Sequence, residues 1–277
     1  MTYLEITFAC PVREELDEIL TARLSELGFD SFLTEETSVK AYIEQHLFDN
    51  PALNELLSEP FFEGVVVESI ETLADKNWNA LWESNYQPVI INDLCRVRAP
   101  FHEPDPAFKF ELLIEPRMSF GTAHHETTSQ MIAMMLNMDF IGKDVLDMGS
   151  GTAILAILAK KSGANVVWAI DNDEWAYNNA IDNIRLNDTP DVKVLLGDAS
   201  TIGTMKFDVV IANINRNILL EDMHHYADAL KAGSVLLMSG FYESDLQMIT
   251  DKATSLGLTE IEHTAKNMWV AASYKKK

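Results

Sequence analysis

The stretch VLDMGSGTAILAILAKKSGANVVWAIDND, residues 145–173, decides the fold. An apolar run closes on an acid, Asp147. Gly149, Ser150 and Gly151 then make a tight turn. A helix-patterned segment follows, and a second apolar run closes on Asp171. The order is strand, glycine loop, helix, strand, the nucleotide-binding half of a doubly wound α/β sheet. Glycines in the loop let the backbone come close to a ligand. Asp171 falls at the end of the second strand, where a carboxylate can accept both hydroxyls of a ribose.

The kind of nucleotide follows from the spacing. A dinucleotide fingerprint needs G-x-G-x-x-G. Counted from Gly149, the third glycine falls on Ile154, so the match is incomplete. The acid two residues ahead of the first glycine gives D-x-G-x-G instead. That pattern resembles motif I of class I S-adenosylmethionine methyltransferases. The resemblance implies a loop packed on the methionine end of the cofactor and a second-strand acid on its ribose.

Composition narrows the class. The chain has 277 residues, enough for one large domain or two smaller ones. No apolar run is long enough to span a membrane as a helix, and the first twenty residues lack the basic head and apolar stretch of a signal peptide. Only Cys10 and Cys95 occur, with no C-x-x-C and no metal-ligand spacing. A reducing, cytoplasmic compartment is expected. The net charge is -22, and it is uneven. Residues 1–90 hold 18 acids against 4 bases, and residues 91–277 hold 25 against 17. Such a field repels nucleic-acid phosphates and attracts basic proteins. Solubility alone would also explain acidity; its concentration in the first third favours a basic partner there.

The first third reads as a small α+β unit. Tyr3–Cys10, Val39–Glu44 and Gly64–Ile70 are strand candidates. Arg13–Gly28 carries Leu16, Ile19, Leu20, Leu24 and Leu27 at helical spacing. Asn50–Ser58 is a second helix candidate with Pro51 near its start. The arrangement resembles a ferredoxin-like module. The segment LADKNWNALWESN, 73–85, reads as a connecting helix with Trp78, Leu81 and Trp82 on one face. The expected organisation is a recognition domain over 1–72, a linker over 73–86 and a catalytic domain over 87–277. In the last part, strand candidates at 88–91, 95–98 and 110–114 come first. Strands at 144–147, 165–170, 192–196, 207–212 and 233–239 then alternate with helices at 152–162, 173–187, 215–231 and 243–254. Two final strands, 257–264 and 268–274, form a hairpin.

Ligand loops belong at the carboxyl ends of such strands. Gly149–Ala153 and Asp171–Asp173 are the first two. Asp198 follows the third strand, where it either meets an adenine amino group or only caps its turn. Asn213 follows the fourth. Methyl transfer to an amine needs acceptors that aim the nitrogen lone pair and a site that keeps water out. The Asn213 amide oxygen suits that role, though an asparagine can also bond only its own turn. Upstream, SFGTAHHETT (119–128) precedes an apolar helix read over Met131–Met138. Gly121 and the two threonines suit a turn and a helix cap. His124 and His125 lack the companions that a metal site needs, so no metal is expected.

Taken together, these segments resemble the ribosomal protein L-eleven methyltransferase (PrmA) family. SFGTAHHETT is similar to its FGTGxHxTT, VLDMGSGTAILAI to its VLDxGCGSGILAI, and VVIANINRNIL to its VVANI segment. LMSGF (237–241) resembles its ILSG, and NWNALWESNYQP resembles its DWxxxWKxxxxP. The resemblance runs along the whole chain. It implies S-adenosylmethionine as cofactor and a small domain that recognises the ribosomal protein, with transfer to lysine and N-terminal amines. It also implies Phe120, Gly121, Thr128, Gly149, Gly151, Asp171, Asp198 and Asn213 as cofactor-binding positions, and Asn213 as the catalytic one. A binding protein with weak or no methyl transfer is the alternative. Three positions depart from the pattern. Ala123 and Ala153 stand where the family has glycines, and Glu83 where it tends to a base. Alanine is tolerated where φ is negative and costly where it is positive.

Overall fold

The computed structural model describes residues 2–11, 16–35, 37–73, 86–116 and 120–277. The Trp78/Leu81/Trp82 helix, with most of the 73–86 linker, lies outside the described residues, as does Ser119. The chain forms two compact units, residues 1–86 and 87–277.

The first unit has β1 (Tyr3–Ala9), α1 (Leu16–Glu26), β2 (Ser31–Thr34), β3 (Ser38–Glu44), α2 (Asn50–Leu57) and β4 (Val66–Leu73). Its sheet runs β2-β3-β1-β4, and every neighbouring pair is antiparallel. Burial alternates along β1 and β3, so Leu4, Ile6, Phe8, Val39, Ala41 and Ile43 share the covered face. Leu16, Leu20 and Leu24 of α1 complete that core. Asp49 caps α2, its carboxylate accepting from the Ala52 amide at 3.1 Å. Strand β2 was not anticipated. It is four residues long and mostly exposed, so it lacks the alternating pattern that marks a strand in sequence.

The second unit opens with a small sheet of β5 (Val89–Ile91), β6 (Cys95–Arg98) and β7 (Phe110–Leu113). Helix α3 spans Glu126–Met135. The large sheet then follows in chain order: β8 (Asp144–Met148), α4 (Ile154–Lys161), β9 (Val166–Asp171), α5 (Glu174–Leu186), β10 (Val192–Leu196), β11 (Phe207–Asn213), α6 (Arg216–Ala229), β12 (Leu230–Tyr242), α7 (Leu246–Ser255), β13 (Leu258–Lys266) and β14 (Trp269–Lys276). Its spatial order is β10-β9-β8-β11-β12-β14-β13. The first five of these strands are parallel, and β14 runs antiparallel to both neighbours.

This sheet is covered on both sides, which explains the continuous apolar strands. Val145, Val167, Val209 and Ile211 face one core with α3, α4 and α5. Leu146, Ile170, Val210 and Ala212 face the other with α6 and α7. Chain order reverses between β8 and β11, so the sheet has a switch point there, and ligand loops gather outside the carboxyl ends of such strands.

Both boundaries of helix α3 differ from the sequence reading. Helix α3 starts at Glu126 and ends at Met135, so Met138 falls beyond it, while Met131, Met134 and Met135 are buried. Its cap is His125 rather than a threonine: the Nδ1 atom accepts from the Thr127 amide at 3.2 Å. Among the described residues no helix is long and apolar enough to cross a membrane.

Candidate active site

The carboxyl ends of β8, β9 and β11 open into a cavity of about 500 Å3. Phe120, Gly149, Gly151, Asp171 and Asn213 all line it. The glycine loop is tight by necessity. Gly149 and Gly151 have φ of +67° and +53°, the left-handed region that L side chains rarely adopt. A Cβ on Gly149 would collide with the Ile214 side chain, and one on Gly151 with the Phe120 carbonyl.

Asp171 is buried at the end of β9, and both its oxygens hold the loops around it. Oδ2 accepts from the Gly151 amide at 2.8 Å, and Oδ1 from the Asp173 amide at 3.0 Å. A carboxylate oxygen can accept more than one hydrogen bond, so capacity for a ligand hydroxyl remains. Asp147, one strand over, is fully buried. Loss of water pushes its carboxyl up to about 7, the Asp171 charge adds to the rise, and the Ala156 amide at 3.0 Å opposes it.

Asn213 ends β11. Its Nδ2 donates to Thr128 Oγ1 at 3.2 Å, which fixes the amide plane. Its Oδ1 is buried and has no hydrogen-bond partner. A buried acceptor left open costs about 1–3 kcal/mol, and such an atom on a cavity wall marks a place for a donor. Asn215 is occupied otherwise: its side chain caps α6 through the Ile218 amide at 3.2 Å.

An aromatic wall borders the cavity. Phe120 meets His125 edge-on, with ring centroids 5.2 Å apart. His125 meets Trp269 at 4.8 Å, and Trp269 lies against Tyr242 at 4.1 Å. Sequence reasoning missed Trp269 and Tyr242 and weighed His125 only as a metal ligand. The register explains the first two, because β14 pairs with β12 and sets Trp269 opposite Tyr242. Gly240 was part of a quoted motif without a role. A Cβ there would strike the Ile214 backbone, so this glycine lets β12 pass the loop that carries Asn213.

Three expected cofactor positions are not on the cavity wall. Thr128 is fully buried behind Asn213. Gly121 lies beside the glycine loop, where Thr152 Oγ1 donates to its carbonyl at 2.6 Å. Asp198 is exposed and caps a short 3-10 turn, Ala199–Ile202. Its Oδ1 accepts from the Ser200 hydroxyl at 2.6 Å and the Ser200 amide at 2.9 Å, which holds its carboxyl below the ordinary range. Ala123 and Ala153 both have positive φ, +66° and +61°, and both are buried. Among the described residues no group of three or more His, Cys, Asp or Glu side chains is placed to hold a metal ion.

Comparison with known proteins finds relatives along most of the chain. The family model described as ribosomal protein L11 methyltransferase (PrmA) matches residues 13–277. A protein named ribosomal protein L11 methyltransferase from Phocaeicola vulgatus is 48% identical over 278 residues, 99% of each chain. Its namesake from Porphyromonas gingivalis is 48% identical over 263 residues, 93% of this chain and 90% of that one. A solved ribosomal protein L11 methylase from Lactobacillus delbrueckii subsp. bulgaricus superposes with a TM-score of 0.65 at 24% identity, covering 69% of this chain and 100% of that one. At that identity the likeness concerns the fold.

Proposed function

Because the chain belongs to the ribosomal protein L11 methyltransferase family, we propose that it transfers methyl groups to lysine and N-terminal amines of ribosomal protein L11 in the cytoplasm. The observation that carries the reading is Asn213 in the cavity lining, with a buried Oδ1 that has no hydrogen-bond partner. A protein that only bound its partner would have no use for a buried amine acceptor at this point.

The cavity suits S-adenosylmethionine. Gly149 and Gly151 leave a cradle that any side chain would fill. Asp171, at the end of β9, is placed for the ribose, and Phe120 for the wall beside it. When bound, this cofactor supplies an electrophilic methyl group on a sulfonium.

The protein's own residues handle the amine. A free lysine is protonated at neutral pH, with a pKa of roughly 10.4, and its nitrogen then has no lone pair to offer. Moving the amine against the wall formed by Phe120, His125 and Trp269 favours its neutral form by desolvation. Asn213 Oδ1 accepts one N–H and so aims the lone pair. Thr128 keeps the Asn213 amide from rotating.

The first unit is the recognition domain in this reading. Support comes from its strand–helix–strand–strand–helix–strand order, that of a ferredoxin-like module, and from its 18 acids against 4 bases, which complement a basic ribosomal protein. Mass spectrometry of purified ribosomal protein L11, incubated with the enzyme and S-adenosylmethionine, tests the proposal. Mass should rise in methyl increments. Tight binding of both partners with no mass increase would leave a binding protein instead.

A further inference from the structure

The wall and the floor of the cavity are separate pieces of chain. Phe120 belongs to the segment ahead of α3, and Gly149 and Gly151 belong to the loop after β8. Thr152 joins them. Its amide donates to the Phe120 carbonyl at 3.0 Å, and its hydroxyl donates to the Gly121 carbonyl at 2.6 Å. Gly121 has φ of +109°, and a Cβ there would stand 2.6 Å from the Thr152 hydroxyl oxygen. The contact therefore requires both a glycine at 121 and a hydroxyl at 152.

Thr152 is anchored in turn. Asn183, on α5, donates from Nδ2 to the Thr152 carbonyl at 3.0 Å and accepts at Oδ1 from the Glu115 amide at 2.9 Å. One turn further on, Asn187 makes the same kind of bond to Leu113: Oδ1 accepts from its amide at 3.0 Å, and Nδ2 donates to its carbonyl at 2.6 Å. Thr152 and Asn183 are fully buried, and neither lines the cavity.

We propose that Thr152 is a positioning residue: its hydroxyl, with Asn183 behind it, grips the Gly121 carbonyl and so holds the Phe120 wall on the glycine loop before any ligand arrives. A cavity assembled in advance binds at its intrinsic affinity. One that must be assembled on binding loses affinity by the fraction of molecules in the competent arrangement. Thr152→Val keeps the shape and removes the donor, which leaves the Gly121 carbonyl without that bond. This inference rests on the methyltransferase reading of the cavity.

The test is isothermal titration of the full chain with S-adenosylhomocysteine, with circular dichroism confirming that each variant is folded at the working temperature. Thr152→Val is expected to raise the dissociation constant by about tenfold, the usual scale for one buried hydrogen bond. Thr152→Ser, which keeps the hydroxyl, should stay within about twofold of the parent. Asn183→Ala should weaken binding by about threefold. A purely structural role would lower the melting temperature and leave the affinity of the folded molecules unchanged. A folded Thr152→Val with parental affinity overturns the proposal. If that variant does not fold, a Thr152→Ser variant that binds tenfold more weakly than the parent overturns it, because the hydroxyl is then not what matters. Absence of binding by the parent chain would overturn the methyltransferase reading itself.

Discussion

Asn213 and Thr128 form a donor–acceptor pair in which the asparagine nitrogen is occupied and its oxygen is buried without a hydrogen-bond partner. Removing the oxygen should therefore act on the reaction more than on binding. Asn213→Ala is expected to lower turnover by roughly tenfold to a hundredfold, with a smaller effect on the KM for the ribosomal protein. Thr128→Val should give a weaker loss in the same direction, since the amide survives but can rotate. Single-turnover methylation at saturating protein substrate measures both. A parental rate in Asn213→Ala would reduce this residue to a part of its loop.

Asp171 holds two backbone amides as well as facing the cavity. Asp171→Ala should weaken S-adenosylmethionine by roughly tenfold to a hundredfold, on the scale of a lost charged hydrogen bond. Asp171→Asn should fall between, because one amide loses its acceptor. An unchanged dissociation constant in the alanine variant would remove the ribose assignment.

Asp147 couples stability to pH. Its carboxyl is pushed up to about 7 in the folded protein, above its value in the unfolded chain. The folded state thus binds the extra proton. Its contribution to stability is fully present below about pH 4 and is lost as pH rises through about 7. Asp147→Asn should flatten the fall in urea midpoint between about pH 4 and pH 7, the window between those two values. A cationic ligand in the cavity favours the ionised form, so binding near pH 7 should release protons, which titration in buffers of different ionisation enthalpy detects. Equal slopes in parent and variant would show that the carboxyl ionises normally.

Ala153 and Ala123 keep a side chain where φ is positive. Left-handed backbone costs an L residue roughly 1–2 kcal/mol, and glycine's extra unfolded freedom offsets roughly 0.5–1 of the relief. Ala153→Gly should leave the melting temperature unchanged or slightly raised. Ala153→Val, with a branched Cβ at a fully buried site, should lower it clearly. Destabilisation by glycine as large as that by valine would mean that the methyl group's packing outweighs the strain.

Charge in the first unit predicts a salt effect confined to one substrate. Exposed charges are screened over a Debye length of about 10 Å at 0.1 M salt. The KM for the ribosomal protein should rise with ionic strength while that for S-adenosylmethionine changes little. Parallel changes in both would locate the effect in the catalytic unit instead.

Most of the parallel sheet was legible in sequence because its determinants are local. Apolar runs buried on both faces, glycines at a turn and acids at strand ends lie within one short stretch. What escaped depends on distant pairing or on unusual chemistry. Trp269 and Tyr242 meet only because β14 enters beside β12. His125 acts as a helix cap, a task usually read from Ser, Thr, Asp or Asn. Asp198 was open to two readings in sequence, and its side chain makes the turn-capping bonds. Thr152 carries no sequence signal at all, since its partner carbonyls belong to residues far upstream.

The place of β14 has a consequence for how the enzyme comes into being. Strand β13 has β14 as its strand partner, and β14 alone joins it to β12. The hairpin can therefore join the large sheet only where β12 is in place to pair with β14. Such non-local pairing is slow compared with helix formation. Because Trp269 opens β14, the aromatic wall arrives in that same step. Competence to bind then depends on the β12–β14 pairing, and refolding chains should gain ligand affinity on the timescale of that pairing rather than of collapse.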